Sequence, residues 1–350
     1  MEPKKMSQAA LLSLAIATLF VLSWEGFLRI RGYIPTFNDD KALWADKRKE
    51  VYQPADEATV FIGSSRIKFA LDIPTWEKLT GEQAVQLALV GTSPILALHD
   101  LANDEAFTGK VIIDVTEGLF FSQNPAFHGS AKEAIAYYHQ QTPSEKVSSA
   151  INFALESKLA LLEERRFSLN TLLNDLPLPN RAGVFQFPAF PKGFEWTTAD
   201  RQTYMSEMFL LNPADIKRQT DIWTMLLMSD PTPPISGEAL AQVLNEIKTS
   251  VDKIRSRGGK VVFVRTPSSG PMEEGEHKVF PRDQYWDRML AVSNSPGIHY
   301  KDYPETAAYI CPEWSHLSPA DAIDYTGHLV KQLEEKGWFA PAKERISLNP

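Results

Sequence analysis

From residue 6 to residue 24 the chain carries no charged side chain, and Leu, Ala, Ile and Phe dominate the run. A helix rising about 1.5 Å per residue over such a stretch matches a bilayer hydrocarbon core of about 30 Å. Lys4 and Lys5 precede it; Glu25, Arg29 and Arg31 follow. Residues 22–26 do not supply the A-x-A pattern of a signal-peptidase site, so the segment reads as an uncleaved single-pass anchor over residues 6–28. Trp24 and Phe27 suit a membrane interface. Two lysines on so short a tail favour an N-terminus inside and a domain on the extracytoplasmic side.

Residues 29–57 are polar, contain Pro and Asp, and read as a linker. After them short apolar runs alternate with helical periods. Strands are predicted over residues 58–62, 85–90, 110–115, 260–264 and 298–300. Helices are predicted over 94–102, 238–257, 284–292 and 318–336, the last with Ser318 as N-cap and Pro319 at its first position. This alternation implies a parallel sheet with helices on both sides, a three-layer α/β/α sandwich of flavodoxin-like type over residues 58–340. Ligands in such sheets bind at the carboxyl ends of the strands.

Between residues 122 and 235 the pattern breaks into a helical insertion. Helices are expected over 131–140, 144–175 and 213–227. Between them residues 176–201 gather Phe185, Phe187, Phe190, Phe194 and Trp196. This aromatic loop reads first as packing on the insertion's own core, and second as a lid or partner surface.

The net charge of -8 argues against a nucleic-acid partner, which needs a basic face. The single cysteine, Cys311, excludes an intrachain disulfide and a cysteine zinc cluster, and reads as a small buried side chain. His99, His128, His139, His277, His299 and His328 show no metal-ligand spacing, and no phosphate-binding loop is present. No metal and no cofactor is expected.

Two pieces at opposite ends of the α/β pattern carry chemistry. Gly63-Ser64-Ser65-Arg66 closes the first strand, and Glu313-Trp314-Ser315-His316 precedes the last helix. A serine hydroxyl becomes a nucleophile only beside a base, usually a His oriented by a third group. Ser65, His316 and Glu313 fit those roles. Oxyanion donors are expected from the Ser65 N–H, from Gly91 after the second strand and from Thr116-Glu117 after the third. Arg265, after the fourth strand, is a candidate substrate-binding group or a structural ion pair. Arg66 reads as pairing with a surface carboxylate rather than with an anionic substrate.

These residues resemble the SGNH (GDSL-type) hydrolase superfamily. Gly63-Ser64-Ser65 matches its Gly-Asp-Ser block with Ser64 in the Asp place. Gly91 fits the second block, and Glu313-x-x-His316 fits the final Asp-x-x-His with Glu for Asp. The third block, Gly-x-Asn-Asp, is not matched by Val115-Thr116-Glu117-Gly118, which has no Asn. The resemblance covers roughly residues 58–118 and 258–336. With the anchor, it is most similar to the membrane-anchored SGNH-like proteins of bacterial cell-surface acylation, of the DltD and alginate-acetylation types. It implies transfer of an acyl group, most simply acetyl, through a Ser65 ester to a polysaccharide or glycolipid hydroxyl, beside a multi-spanning membrane O-acyltransferase. An acyl esterase with the same residues, or a non-catalytic accessory protein of such an acyltransferase, is the alternative.

Overall fold

The computed structural model describes residues 3–174, 176, 188, 190–229 and 233–339. Phe185 and Phe187 of the aromatic loop, residue 175 at the end of the expected helix over 144–175, and residue 340 lie outside them. Two compact units emerge: Met1–Asn38 with Thr142–Gln186, and Asp39–Gln141 with Phe187–Pro350.

The larger unit is built on a five-stranded parallel sheet. Its strands are β1 (Ala58–Ile62), β2 (Gln83–Gln86), β3 (Lys110–Asp114), β6 (Lys260–Arg265) and β7 (Gly297–His299), in the order β2-β1-β3-β6-β7. A short antiparallel pair, β4 (Glu195–Thr197) and β5 (Thr203–Met205), stands apart. The side chains of each central strand alternate between two cores. Val60, Ile62, Val111, Ile113, Val261 and Phe263 face helices Ile95–Asn103, Gly237–Ser256 and Trp286–Ser293. Phe61, Ile112, Val262 and Val264 face helices Ile73–Thr80 and Pro319–Glu335. Both faces are therefore covered, which explains why the strands read as unbroken apolar runs. The chain order reverses between β2 and β3 on either side of β1, and the carboxyl ends of β1 and β3 meet at that reversal, where such sheets place their ligands.

The second strand is shorter and earlier than residues 85–90. The apolar residues that suggested it continue alongside β1 without forming strand: Leu87 N donates to Phe61 O at 2.8 Å and Leu89 N to Gly63 O at 3.1 Å. Residues 29–57 are not all linker. Helix Lys41–Arg48, capped by Asp40, buries Trp44 and Ala45 in the first core, and the Trp44 indole donates to Leu87 O at 2.9 Å. Arg201, in the β4–β5 turn at φ 61°, spends its guanidinium on Asp39, Gln86 O and Ala88 O and so ties that turn to the end of β2.

In the smaller unit, helix Pro3–Ile30 is long and apolar enough over Met6–Ile30 to cross a membrane, and its side chains are almost wholly exposed. The helix expected over 144–175 is broken. Pro143–Glu156 is helical, then a 3-10 turn at Ala160–Leu162 and helices Glu164–Phe167 and Leu169–Asn174 follow. The break has a cause: the Glu25 carboxylate accepts from Ala160 N and Leu161 N, each at 3.0 Å, taking donors that a continuous helix would need.

Candidate active site

The site begins at the end of β1. Gly63 is there because β1 and β3 approach too closely for a side chain: a Cβ would sit 2.6 Å from Asp114 Cβ and 2.8 Å from Ile67 Cγ2. Ser64 adopts extended backbone and caps helix Ser65–Ala70, its Oγ accepting from Arg66 N at 3.3 Å. Ser65 is the first residue of that helix and stays partly exposed. Its own N–H therefore has no acceptor within the helix.

His316 lies just before helix Pro319–Glu335 and is buried. Its Nε2 is 2.8 Å from Ser65 Oγ, and its Nδ1 is 3.0 Å from Glu313 Oε1. The same Oε1 accepts from Ser315 N at 3.2 Å and His316 N at 2.6 Å, so the Glu313 carboxylate also folds the loop that carries His316. Trp314, between them, takes φ 77°, a left-handed conformation costing about 1–2 kcal/mol for a non-glycine residue. Its carbonyl is held by Ser269 N at 2.9 Å, which ties the acid–base loop to the segment after β6.

Aromatic rings close around the imidazole. Phe69 lies 4.3 Å from its centroid, Phe194 6.0 Å and Trp223 6.1 Å. Phe194 directly precedes β4 and also packs on Phe209 at 4.8 Å; Trp223 comes from helix Pro213–Ser229 and its indole N–H donates to Glu313 Oε2. Part of the aromatic loop thus walls the imidazole instead of packing only on the insertion. Burial raises the Glu313 carboxyl, but the His316 charge and the hydrogen bonds from His316 and Trp223 outweigh it and hold the acid below its ordinary value.

Arg66 does not point to the surface. It is 3% exposed and pairs with Glu276, with Nη1 3.1 Å from Oε2, while its Nε donates to Ser315 Oγ at 3.3 Å. Arg265 is a structural ion pair, donating to both Glu117 oxygens at 2.8 Å and to Glu276 Oε2 at 2.5 Å. Burial acts against the Glu276 charge, yet Arg66 and Arg265 together lower its pKa to about 2. Burial raises Glu117; Arg265 opposes this, the Glu276 charge adds to it, and the net direction is upward. Two arginines and two glutamates thus face one another beside the loop that carries Glu313 and His316. Arg265 is buried, and its guanidinium also donates to Thr266 O and Ser268 Oγ.

Thr116 faces Ser64, not Ser65: its Oγ1 is 2.7 Å from Ser64 Oγ and 3.4 Å from Asp114 Oδ2. Its side chain is committed to Ser64 and Asp114. Gly91 turns the chain after β2 at φ 60°, with no atom within 4 Å of where a Cβ would sit. The structure thus brings Ser65, His316 and Glu313 into one hydrogen-bonded line. It leaves Thr116 and Arg265 in supporting positions and Gly91 on an exposed turn. Sequence reasoning missed Trp223, Phe194 and Glu276. Only the aromatic density around 185–196 hinted at the wall.

Cys311 is buried, its Sγ 3.6 Å from Pro267 O, and burial pushes its thiol up to about 12, which disfavours the thiolate. Among the described residues no group of three or more His, Cys, Asp or Glu side chains is placed to hold a metal ion. Compared with known proteins, the chain matches no family model and no curated sequence.

Proposed function

We propose that this chain is a membrane-anchored serine acyl-transfer enzyme of SGNH type on a flavodoxin-like α/β/α domain, moving an acyl group to a hydroxyl of a cell-surface or secreted glycan. The observation that carries the reading is the line Ser65 Oγ–His316 Nε2–Nδ1–Glu313 Oε1, with steps of 2.8 and 3.0 Å. A buried, ionised acid and a walled imidazole are what a general base needs to take a serine proton.

In this mechanism Ser65 Oγ attacks the acyl carbonyl of a donor while His316 Nε2 takes its proton. The tetrahedral intermediate collapses, and His316 returns that proton to the departing group. An acceptor hydroxyl then attacks the Ser65 ester, giving its proton to His316, and the new ester leaves with Ser65 regenerated. Glu313 remains a carboxylate throughout and stabilises the imidazolium. The Ser65 N–H is the oxyanion donor that this chain supplies at the nucleophile itself.

The anchor supports a setting at a membrane, with the catalytic unit on the extracytoplasmic face beside a multi-spanning acyltransferase that supplies the acyl group. The test uses the full-length chain in detergent. A fluorophosphonate is expected to label Ser65 in the wild type and to leave Ser65→Ala and His316→Ala unlabelled. An unlabelled, folded wild type would make the chain a non-catalytic accessory. A chromogenic acetyl ester, assayed with and without a polysaccharide acceptor, separates transfer from hydrolysis by the product formed.

A further inference from the structure

Helix Pro143–Glu156 is inside out for a helix in water. Its inward side carries Ser149 and Glu156, both buried, and half-buried Phe153. Its outward side carries Val147, Ile151 and Leu155, which are 61%, 55% and 45% exposed, with Ala150 and Ala154 exposed between them. Those five positions follow the i, i+3, i+4, i+7, i+8 spacing of an apolar stripe, which normally faces a core. A second apolar group lies on helix Leu169–Asn174, where Leu169, Leu172 and Leu173 are 70%, 50% and 50% exposed.

Both helices belong to the same compact unit as the apolar N-terminal helix. The joint between them is polar and specific. Arg29 Nη2 donates to Lys158 O at 2.8 Å, and Arg29 Nε to Glu25 Oε1 at 2.7 Å. Glu25 accepts from Ala160 N and Leu161 N, and Asn38 Nδ2 donates to Glu156 Oε1 at 2.8 Å. Tyr33 packs edge-on against Phe167, with centroids 5.6 Å apart. The stripe therefore ends beside the last turns of the helix that is apolar enough to cross a bilayer, and runs about 12 Å away from it along helix Pro143–Glu156. Lys146 and Lys158, both exposed, stand at its two ends.

We infer that helices Pro143–Glu156 and Leu169–Asn174 form an interfacial platform. Their apolar stripe lies in the headgroup–acyl boundary of the bilayer that helix Pro3–Ile30 crosses, with the flanking lysines among the lipid phosphates. The occupant is lipid because the stripe ends beside the last turns of the apolar anchor and is framed by cations, as in helices that lie in a membrane surface. This rests on reading helix Pro3–Ile30 as a membrane anchor.

The test uses the full-length chain in nanodiscs of mixed phosphatidylethanolamine and phosphatidylglycerol. A fluorophore sensitive to polarity is attached to single cysteines placed by Ile151→Cys, Val147→Cys, Leu14→Cys in the anchor and Lys248→Cys on the exposed side of helix Gly237–Ser256. Buried Cys311 does not compete for the label in folded protein. Quenching by a lipid-borne nitroxide is compared with quenching by aqueous iodide. Labels at 147 and 151 are expected to be quenched by the lipid nitroxide at least about threefold more than the label at 248. If the label at 14 is lipid-quenched while those at 147 and 151 respond to iodide like the label at 248, the platform is overturned and the anchor stands. Labels at 147 and 151 shielded from both quenchers would mean that a second copy of the chain covers the stripe, which also overturns it. A label at 14 open to iodide would overturn the anchor reading and the platform with it.

Discussion

The indole N–H of Trp223 donates to Glu313 Oε2, while Oε1 of the same carboxylate faces His316 Nδ1 at 3.0 Å. A residue of the helical insertion therefore fixes the acid of the candidate triad. Trp223 acts as a positioning residue, because it reaches Ser65 only through Glu313 and His316. A hydrogen bond to a buried charge is worth about 1.5–3 kcal/mol, so Trp223→Phe is expected to slow fluorophosphonate labelling of Ser65 by about tenfold or more. Without the indole donor the Glu313 carboxyl loses one of the hydrogen bonds that hold it below its ordinary value. Replacing Trp223 by benzothienylalanine, which keeps the shape and lacks the N–H, should slow labelling as much as Trp223→Phe. A wild-type rate for the benzothienylalanine variant would reduce Trp223 to packing.

Glu313→Gln tests the acid itself. It keeps the size of the side chain but loses the charge that stabilises the imidazolium and holds its tautomer. The expected fall in labelling rate is about 10³–10⁴-fold, the scale seen when a triad acid becomes an amide. Glu313→Asp restores the shorter acid of the resembled family. Retracted by one methylene, it gives up reach both to His316 Nδ1 and to the two loop N–H groups that Oε1 binds. Labelling is expected to lie between wild type and Glu313→Gln, and a wild-type rate for Glu313→Gln would remove Glu313 from the mechanism.

Gly63→Ala is expected to damage the fold before the chemistry. The new methyl would overlap Asp114 Cβ and Ile67 Cγ2, and neither can withdraw easily, since both lie in the packed interior at the carboxyl ends of β1 and β3. Overpacking of this kind costs about 1–3 kcal/mol, read as a lower midpoint of urea unfolding with an unchanged slope. A midpoint equal to wild type would mean that the strands part freely there.

The sheet and the serine–histidine pair were legible because each is written locally. Val60–Ile62, Val111–Ile113 and Val261–Val264 are apolar on both faces, and only a doubly covered strand needs that. Ser65 and His316 stand in short motifs at predicted element ends. Helix Lys41–Arg48 escaped notice because its buried Leu43-Trp44-Ala45 sits among Asp40, Lys41, Asp46, Lys47 and Arg48, a composition that reads as solvated chain. Trp223 and Phe194 carry no local sign of meeting His316, since the insertion folds back through tertiary packing. Arg66 looked like a surface charge because its carboxylate partner, Glu276, is 210 positions away. Arg265 stayed open between a substrate group and a structural ion pair because a strand end predicts an edge but not which charges already occupy it.

That buried network gives a stability prediction with a definite sign. Glu276 has a folded pKa of about 2, against about 4.3 for an unfolded glutamate, because Arg66 and Arg265 surround it. A depressed carboxylate stabilises the fold fully above the unfolded pKa and loses that contribution as pH falls through the folded one. Glu276→Gln leaves two buried guanidinium groups with too little compensating charge, and removing one partner of a buried pair costs about 3–5 kcal/mol. At pH 7 the variant should therefore unfold at markedly lower denaturant than wild type. The gap should persist down to about pH 4.3 and close steadily towards pH 2, where wild-type Glu276 is itself taking up its proton. Arg66 also holds Ser315 Oγ, so the same variant should slow labelling of Ser65 even where it remains fully folded. A stability gap constant from pH 7 to pH 2 would show that the carboxylate charge does not hold these arginines in place.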